Sequence, residues 1–217
     1  VNTVSNELIL QSIYETIYMV SISLFIGAVI GLPLGILLVV TRGNGIKPNK
    51  IVFFVLNGII NIFRSLPFII LLVAITPFTR IIVGQTYGTT AAIVPLIVYI
   101  APFIARLVES SLLEVGQEII ELGKSLDASM YQIIRYFLLP EAFGSLILAL
   151  TTATIGLIGA TAMAGTIGGG GIGNLAITYG YERFNTSVII LTVIILVIIV
   201  QIIQSIGNRM AKKLRHE

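Results

Sequence analysis

Side chains able to do chemistry are few in this chain and lie far apart. There is one histidine, His216, and no cysteine. Disulfides, thiolate metal sites and a cysteine nucleophile are therefore excluded, and one imidazole next to the C-terminus makes no metal centre, which takes several ligands. Arg64 is the only charge among the 29 residues between Lys50 and Arg80. A charge inside an apolar stretch is costly and marks a functional position by default. Ser65 and Pro67 beside it suggest a broken helix that keeps the guanidinium in a polar path, where it could guide a carboxylate. A snorkelled or internally paired arginine that holds the broken helix is the alternative. The run Gly165-Thr-Ile-Gly-Gly-Gly-Gly-Ile-Gly173 invites comparison with a phosphate cradle, but no strand precedes it, no lysine follows it, and GxxxxGK[ST] occurs nowhere in the chain. A flexible outer gate or a re-entrant loop, tolerable in a membrane only where protein or water surrounds it, fits better. Met163, just before this run, is an unbranched and adaptable side chain placed to plug a narrow path; ordinary core packing is the other reading.

The elements that must position these residues follow from composition. Of 217 residues, 56% are hydrophobic and 11% charged, with mean hydropathy +1.03, whereas a soluble domain carries about a quarter charged residues. One small globule could not bury that much apolar surface, so the surplus faces lipid. A soluble enzyme, a nucleic-acid binder and a disordered segment are disfavoured. A span needs about 20 helical residues. Uncharged runs of 26, 25, 40 and 25 residues follow Glu15, Arg80, Glu141 and Arg183, besides the run that Arg64 interrupts. The predicted architecture is all-α and integral to the membrane, one transmembrane domain over 1–217 with five spans at about 16–40, 51–75, 89–107, 142–162 and 187–207. The first span is expected to stay in the mature protein: Glu7 and Glu15 precede it where a signal peptide would be basic.

Ten of the 13 lysines and arginines fall on one side of this layout: Arg42, Lys47, Lys50, Arg106, Lys124, Arg135, Arg209, Lys212, Lys213 and Arg215. The cation-rich side is cytoplasmic, which puts the N-terminus outside and the C-terminus inside. Gly27, Gly31 and Gly35 form a small-residue stripe that lets another helix approach closely, and Pro33 should kink that span. Pro95 and Pro102, seven apart, share a face of the third span, either as tolerated kinks in packing or as hinges lining a pore. Tyr179, Tyr181 and Phe184 sit at the outer end of the last loop, as interfacial anchors or as contacts for an outside partner.

From Arg106 to Glu141, 36 residues hold 9 of the 23 charges, so this segment is the place for cytoplasmic contacts. Ile119, Leu122, Leu126, Met130, Ile133, Ile134 and Phe137 recur at helical spacing. The pattern is interrupted at Asp127-Ala128-Ser129. Ser129 and Gln132 make a capping box, and Asp127 tolerates a left-handed conformation better than most residues. Two short helices with a sharp turn, closed by Leu139-Pro140, are predicted. Such an element suits the grip of a cytoplasmic partner; a helix lying on lipid headgroups is the alternative.

These residues resemble a known family. Glu121-Leu-Gly-Lys-Ser-Leu-Asp127, nine residues, then Phe137-Leu-Leu139-Pro140 is similar to the EAA loop of ABC importer permeases, in which Glu-Ala-Ala, three residues and Gly are followed nine residues later by Ile-x-Leu-Pro. Leu122 and Gly123 replace the two alanines, Asp127 the glycine and Phe137 the isoleucine. Gly31-Leu-Pro-Leu-Gly35, Asn61-Ile-Phe-Arg-Ser-Leu-Pro-Phe-Ile-Ile-Leu-Leu72, Ala91-Ala-Ile-Val-Pro-Leu96, Ala101-Pro-Phe-Ile-Ala-Arg106 and Tyr179-Gly-Tyr181 extend the resemblance to the methionine-importer permeases over nearly the whole chain.

The resemblance implies a coupling loop over 108–141, with Glu118, Glu121, Lys124, Ser125, Asp127, Ala128 and Ser129 docking on a separate ATPase. It also implies two ATP-binding subunits that carry the ATP and magnesium, an extracytoplasmic substrate-binding lipoprotein, and residence in the bacterial cytoplasmic membrane. Five spans are few to enclose a path, which favours a two-fold homodimer. The implied cargo is methionine, in D and L forms, with another amino acid or small polar solute as the alternative. No cofactor and no nucleic-acid partner are expected for this chain. An intramembrane enzyme would need convergent polar side chains that Arg64 alone does not supply, and a passive channel would need no EAA loop.

Overall fold

The structure is a computed structural model in which residues 4–214 are described; Arg215 and His216 lie outside them. Every regular element among the described residues is helical. Helix α1 (Asn6–Thr41) opens on Ser5, whose hydroxyl accepts from the Leu8 amide, and runs unbroken through Pro33. Helix α2 (Lys50–Ser65) is capped by Asn49 Oδ1, which accepts from the Ile51 and Val52 amides at 3.1 Å each. Helices α3 (Phe68–Ala74), α4 (Thr76–Val83), α5 (Thr89–Leu113) and α6 (Gln117–Ser125) follow. A short α7 (Met130–Gln132) passes through a π turn (Ile133–Leu138) into α8 (Leu139–Ala164). A 3-10 turn, α9 (Gly171–Asn174) and a second π turn (Leu175–Tyr181) lead to α10 (Thr186–Leu214).

Four helical stretches are long and apolar enough to cross a membrane: α1, α5, the continuous rod Met130–Ile167 and α10. The fifth candidate is α2 with α3, bent by 101° between Ser65 and Phe68. The stretch 51–75 is thus a broken helix, as Arg64, Ser65 and Pro67 suggested, and no straight span. Another expectation is corrected. Leu139-Pro140 does not close the cytoplasmic segment, because the helix continues through it. A proline ring clashes with the carbonyl four residues back; here the turn before it is widened, the Leu139 amide bonding Ile134 O five residues back, and Pro140 falls in the first turn of α8.

Helix α5 is the centre of the fold. Leu96, Ile100, Ile104, Ala105, Val108 and Leu112 are all within 1% of complete burial, and Pro95 and Pro102 are buried on it too, facing the interior of this chain. The glycine stripe of α1 meets α5. A Cβ on Gly31 would stand 2.7 Å from Ala101 O, and one on Gly35 2.6 Å from Ala105 O. Both partners advance together along the sequence, so α1 and α5 run parallel at backbone contact. The outer faces are apolar: Phe25, Val29, Val193 and Val197 are more than half exposed, as helices facing lipid require.

Gly31→Val should therefore disrupt the α1–α5 contact. Overpacking a core costs about 1–3 kcal/mol, and here the obstacle is backbone. Thermal unfolding in detergent should shift down by several degrees or the protein should fail to accumulate. Gly58→Ala, at a position with nothing within 4 Å, should leave it unchanged or slightly higher.

Candidate functional site

Helix α6 is seated from two sides. Ile120 and Gly123 are its buried residues, and Gly123 is required by closeness: a Cβ there would lie 2.9 Å from Ile133 Cγ1. Lys124 Nζ donates to Gly45 O at 3.2 Å, fastening α6 to the loop between α1 and α2. The helix ends as a Schellman motif, the Ala128 amide bonding Gly123 O and the Asp127 amide bonding Lys124 O, both at 3.1 Å. Asp127 takes φ 52°, in the left-handed region anticipated for it. The Ser129 amide then donates to Gln132 Oε1 at 2.7 Å while Ser129 Oγ accepts from the Gln132 amide at 3.4 Å. The sharp turn and the capping box are both present.

The apolar repeat does not form one face, however. Ile133 turns inward, as does Ile120, which the repeat did not include, while Leu122 and Leu126 are 50% and 63% exposed. Glu118, Glu121, Lys124, Ser125, Asp127 and Ser129 are exposed around them, and Ala128 is half-buried. The result is a rigid elbow that presents two leucines among charges.

A polar seam where α1, α2 and α5 meet went unread in the sequence. Arg106, counted above among the loop cations, lies inside α5. Its Nη2 donates to Asn57 Oδ1 and Asn61 Oδ1, each at 2.7 Å, and its Nη1 donates to Glu109 Oε2. Glu109 is 3% exposed and also stands 3.8 Å from Arg42 Nη1 at the end of α1. The available signal was spacing: Asn57 and Asn61 one turn apart in an apolar helix, Arg106 and Glu109 three apart.

Arg64 lies one turn beyond Asn61 and is exposed. No carboxylate among the described residues pairs with it, so the internally paired alternative finds no support within this chain. Ser65 Oγ donates to Asn61 O at 2.7 Å, and Pro67 caps α3 at the bend.

The glycine-rich segment is a pinned turn and no slack loop. Gly168, Gly170 and Gly171 have φ of 75–79°. Glu15 Oε2 accepts from the Gly171 amide at 2.7 Å and Thr16 Oγ1 from the Ile172 amide at 2.9 Å, while the Gly88 amide donates to Gly168 O at 2.9 Å. A side chain on Gly170 would strike Glu15 Oε2 at 2.7 Å. The turn is thus held by α1 and by the start of α5. Met163 is 50% exposed, at the surface of the chain, so core packing does not account for it here. At the end of the second π turn and just after it, Tyr181 is 69% and Phe184 92% exposed, and Arg183 lies 4.4 Å over the Tyr179 ring.

Residues 27–216 match the family described as binding-protein-dependent transport system inner membrane component. The chain is 44% identical over 212 residues to the probable D-methionine transport system permease protein MetI of Vibrio cholerae, covering 98% of this chain and 94% of that one. Identity to the Pasteurella multocida protein of the same description is 48% over 210 residues, 97% of each. A chain of the MetNI methionine ABC transporter in an inward-facing conformation superposes with TM-score 0.94 at 45% identity, over 97% of this chain and 99% of that one. A chain of an amino acid ABC transporter crystallised with histidines superposes over the same shares with TM-score 0.79 at 16% identity, which shows a common fold alone. With 190 of its residues inside the family's bounds and relatives near half identity along almost its full length, this chain belongs to the binding-protein-dependent transport system inner membrane components.

Proposed function

We propose that the chain is the membrane-spanning permease subunit of an ATP-driven importer that carries methionine, D and L, across the bacterial cytoplasmic membrane. It works as a homodimer with the path at the two-fold axis, its N-terminus outside and its C-terminus in the cytoplasm. Two separate ATPase subunits hold ATP and magnesium, and a substrate-binding lipoprotein delivers solute to the outer face near Tyr181 and Phe184. The observation that carries this reading is the exposed elbow of α6. A helix resting on anionic headgroups would carry lysine and arginine on its polar face. This one carries Glu118, Glu121 and Asp127, and its one ammonium, Lys124, is turned to Gly45 O. Exposed leucines among carboxylates suit a protein cleft.

The same elbow is built to transmit force. Its glycine contact with Ile133 and its lysine contact with Gly45 leave no slack toward either the rod or α1. The rod Met130–Ile167 spans about 57 Å at 1.5 Å per residue, with Met163 near the end far from the elbow. Closure of the ATPase pair on ATP would thus tilt a stiff helix whose far end carries the gate candidate. Arg64, exposed and unpaired among the described residues, suits the solute's carboxylate in transit.

Two outcomes test the proposal. Leu126→Glu should cut co-purification of the ATPase by about ten-fold, the order of one buried leucine's worth of contact, with the permease still folded. Asp127→Gly, at a left-handed position where glycine is unstrained, should retain it. Undiminished recovery of the ATPase with Leu126→Glu removes the docking role. In proteoliposomes holding permease, ATPase and binding protein, both methionine enantiomers should stimulate ATP hydrolysis; a response confined to another amino acid or polar solute changes the cargo and leaves the mechanism.

A further inference from the structure

Helix α2 is the least embedded of the long helices. Ile60 is its one buried residue, packed with Leu38 of α1 and Ala105 of α5. Phe53 and Leu56 of α2 and Leu34 of α1 are only partly buried beside them, so apolar packing holds the helix along one narrow strip. At about 100° per residue, Asn57, Asn61 and Arg64 fall within an arc of about 60°, and Val55, Ile59 and Ile62 point the opposite way. The second face is wholly apolar and 53%, 48% and 64% exposed, as suits hydrocarbon. The first is not. Carboxamides and a guanidinium facing lipid are costly, yet Asn61 and Arg64 are exposed in this chain, so their surroundings in the membrane must be polar.

We propose that the Asn57–Asn61–Arg64 seam is a wall of the solute path, and that Arg106 is the positioning residue that keeps α2 turned toward that path. The guanidinium is a planar fork. One nitrogen takes both carboxamide oxygens at 2.7 Å and another takes Glu109, which is buried and approached by Arg42. The orientation of α2 is thereby referred to α5 and α1. Lysine, a point charge on a flexible stem, cannot make the three contacts in fixed geometry. The inference rests on the permease reading above and names the surface along which its carboxylate-bearing cargo would move.

The chain has no cysteine, so single cysteines can be placed without removing any. Asn61→Cys and Arg64→Cys report the seam; Val55→Cys, Ile59→Cys and Ile62→Cys report the opposite face. Each is assembled with its ATPase in native membranes and exposed to a charged, membrane-impermeant thiol reagent added to both sides. The seam positions should react at least about ten-fold faster, since thiolate forms in water and not in lipid. With Arg106→Lys added, that contrast should fall several-fold while the complex still co-purifies and hydrolyses ATP. Should Arg106→Lys fail to accumulate, Asn57→Leu, which leaves the Arg106–Glu109 pair intact, should lower the contrast instead. Equal reaction at all five positions overturns the path. A contrast untouched by either substitution overturns the positioning role. Loss of ATPase from the unsubstituted complex would count against the permease reading and not against the seam.

Discussion

Hydrocarbon offers no hydrogen bonds, so a polar group carried into it must find its partner in protein or in a water-filled path. That constraint organises this chain. Threonines inside the helices turn their hydroxyls back to their own backbone, as Thr151 does to Ile147 O and Thr154 to Leu150 O. The glycine turn after α8 gives its amides to Glu15 and Thr16. Arg106 is wrapped by two carboxamides and a carboxylate. Ser23 Oγ, Thr79 Oγ1 and Arg106 Nε are buried without a partner, and nothing else in the structure accounts for them. Arg64, exposed and without an ion-pair partner among the described residues, marks the proposed route.

The elbow of α6 obeys a complementary rule. For the proposed docking it must be stiff to carry a push and bare to receive one. Stiffness comes from closure of the backbone, through the Schellman turn at Asp127 and the capping box at Ser129, and from the contact of Gly123 with Ile133. Bareness comes from dividing the apolar side chains, so that Ile120 and Ile133 seat the element and Leu122 and Leu126 are left outside.

Much of this was legible in the residues. Charge-free runs of helical length located the spans, Arg64-Ser-Leu-Pro67 announced the break in α2, and the Asp127 and Ser129 spacing announced the turn. What escaped has physical reasons. A π turn has no residue signature of its own, so Pro140 read as a stop. An arginine near the end of a span looks like a loop cation until its partners on another helix are known, which hid Arg106 and Glu109. Periodicity states that a helix has apolar positions and not how many neighbours it has to cover them, which left the outward leucines of α6 unassigned. The four consecutive glycines suggested looseness because composition cannot show that Glu15, more than 150 residues away, clamps them.

The glycine contact between α1 and α5 has a mechanical meaning. Two parallel helices meshed backbone to backbone have neither room to slide nor space to roll, and so act as a stator. On the proposed mechanism, alternating access is left to what is bolted on around it: the half-helix beyond the 101° break, and the rod, whose end turns into a loop clipped to the stator by Glu15, Thr16 and the Gly88 amide.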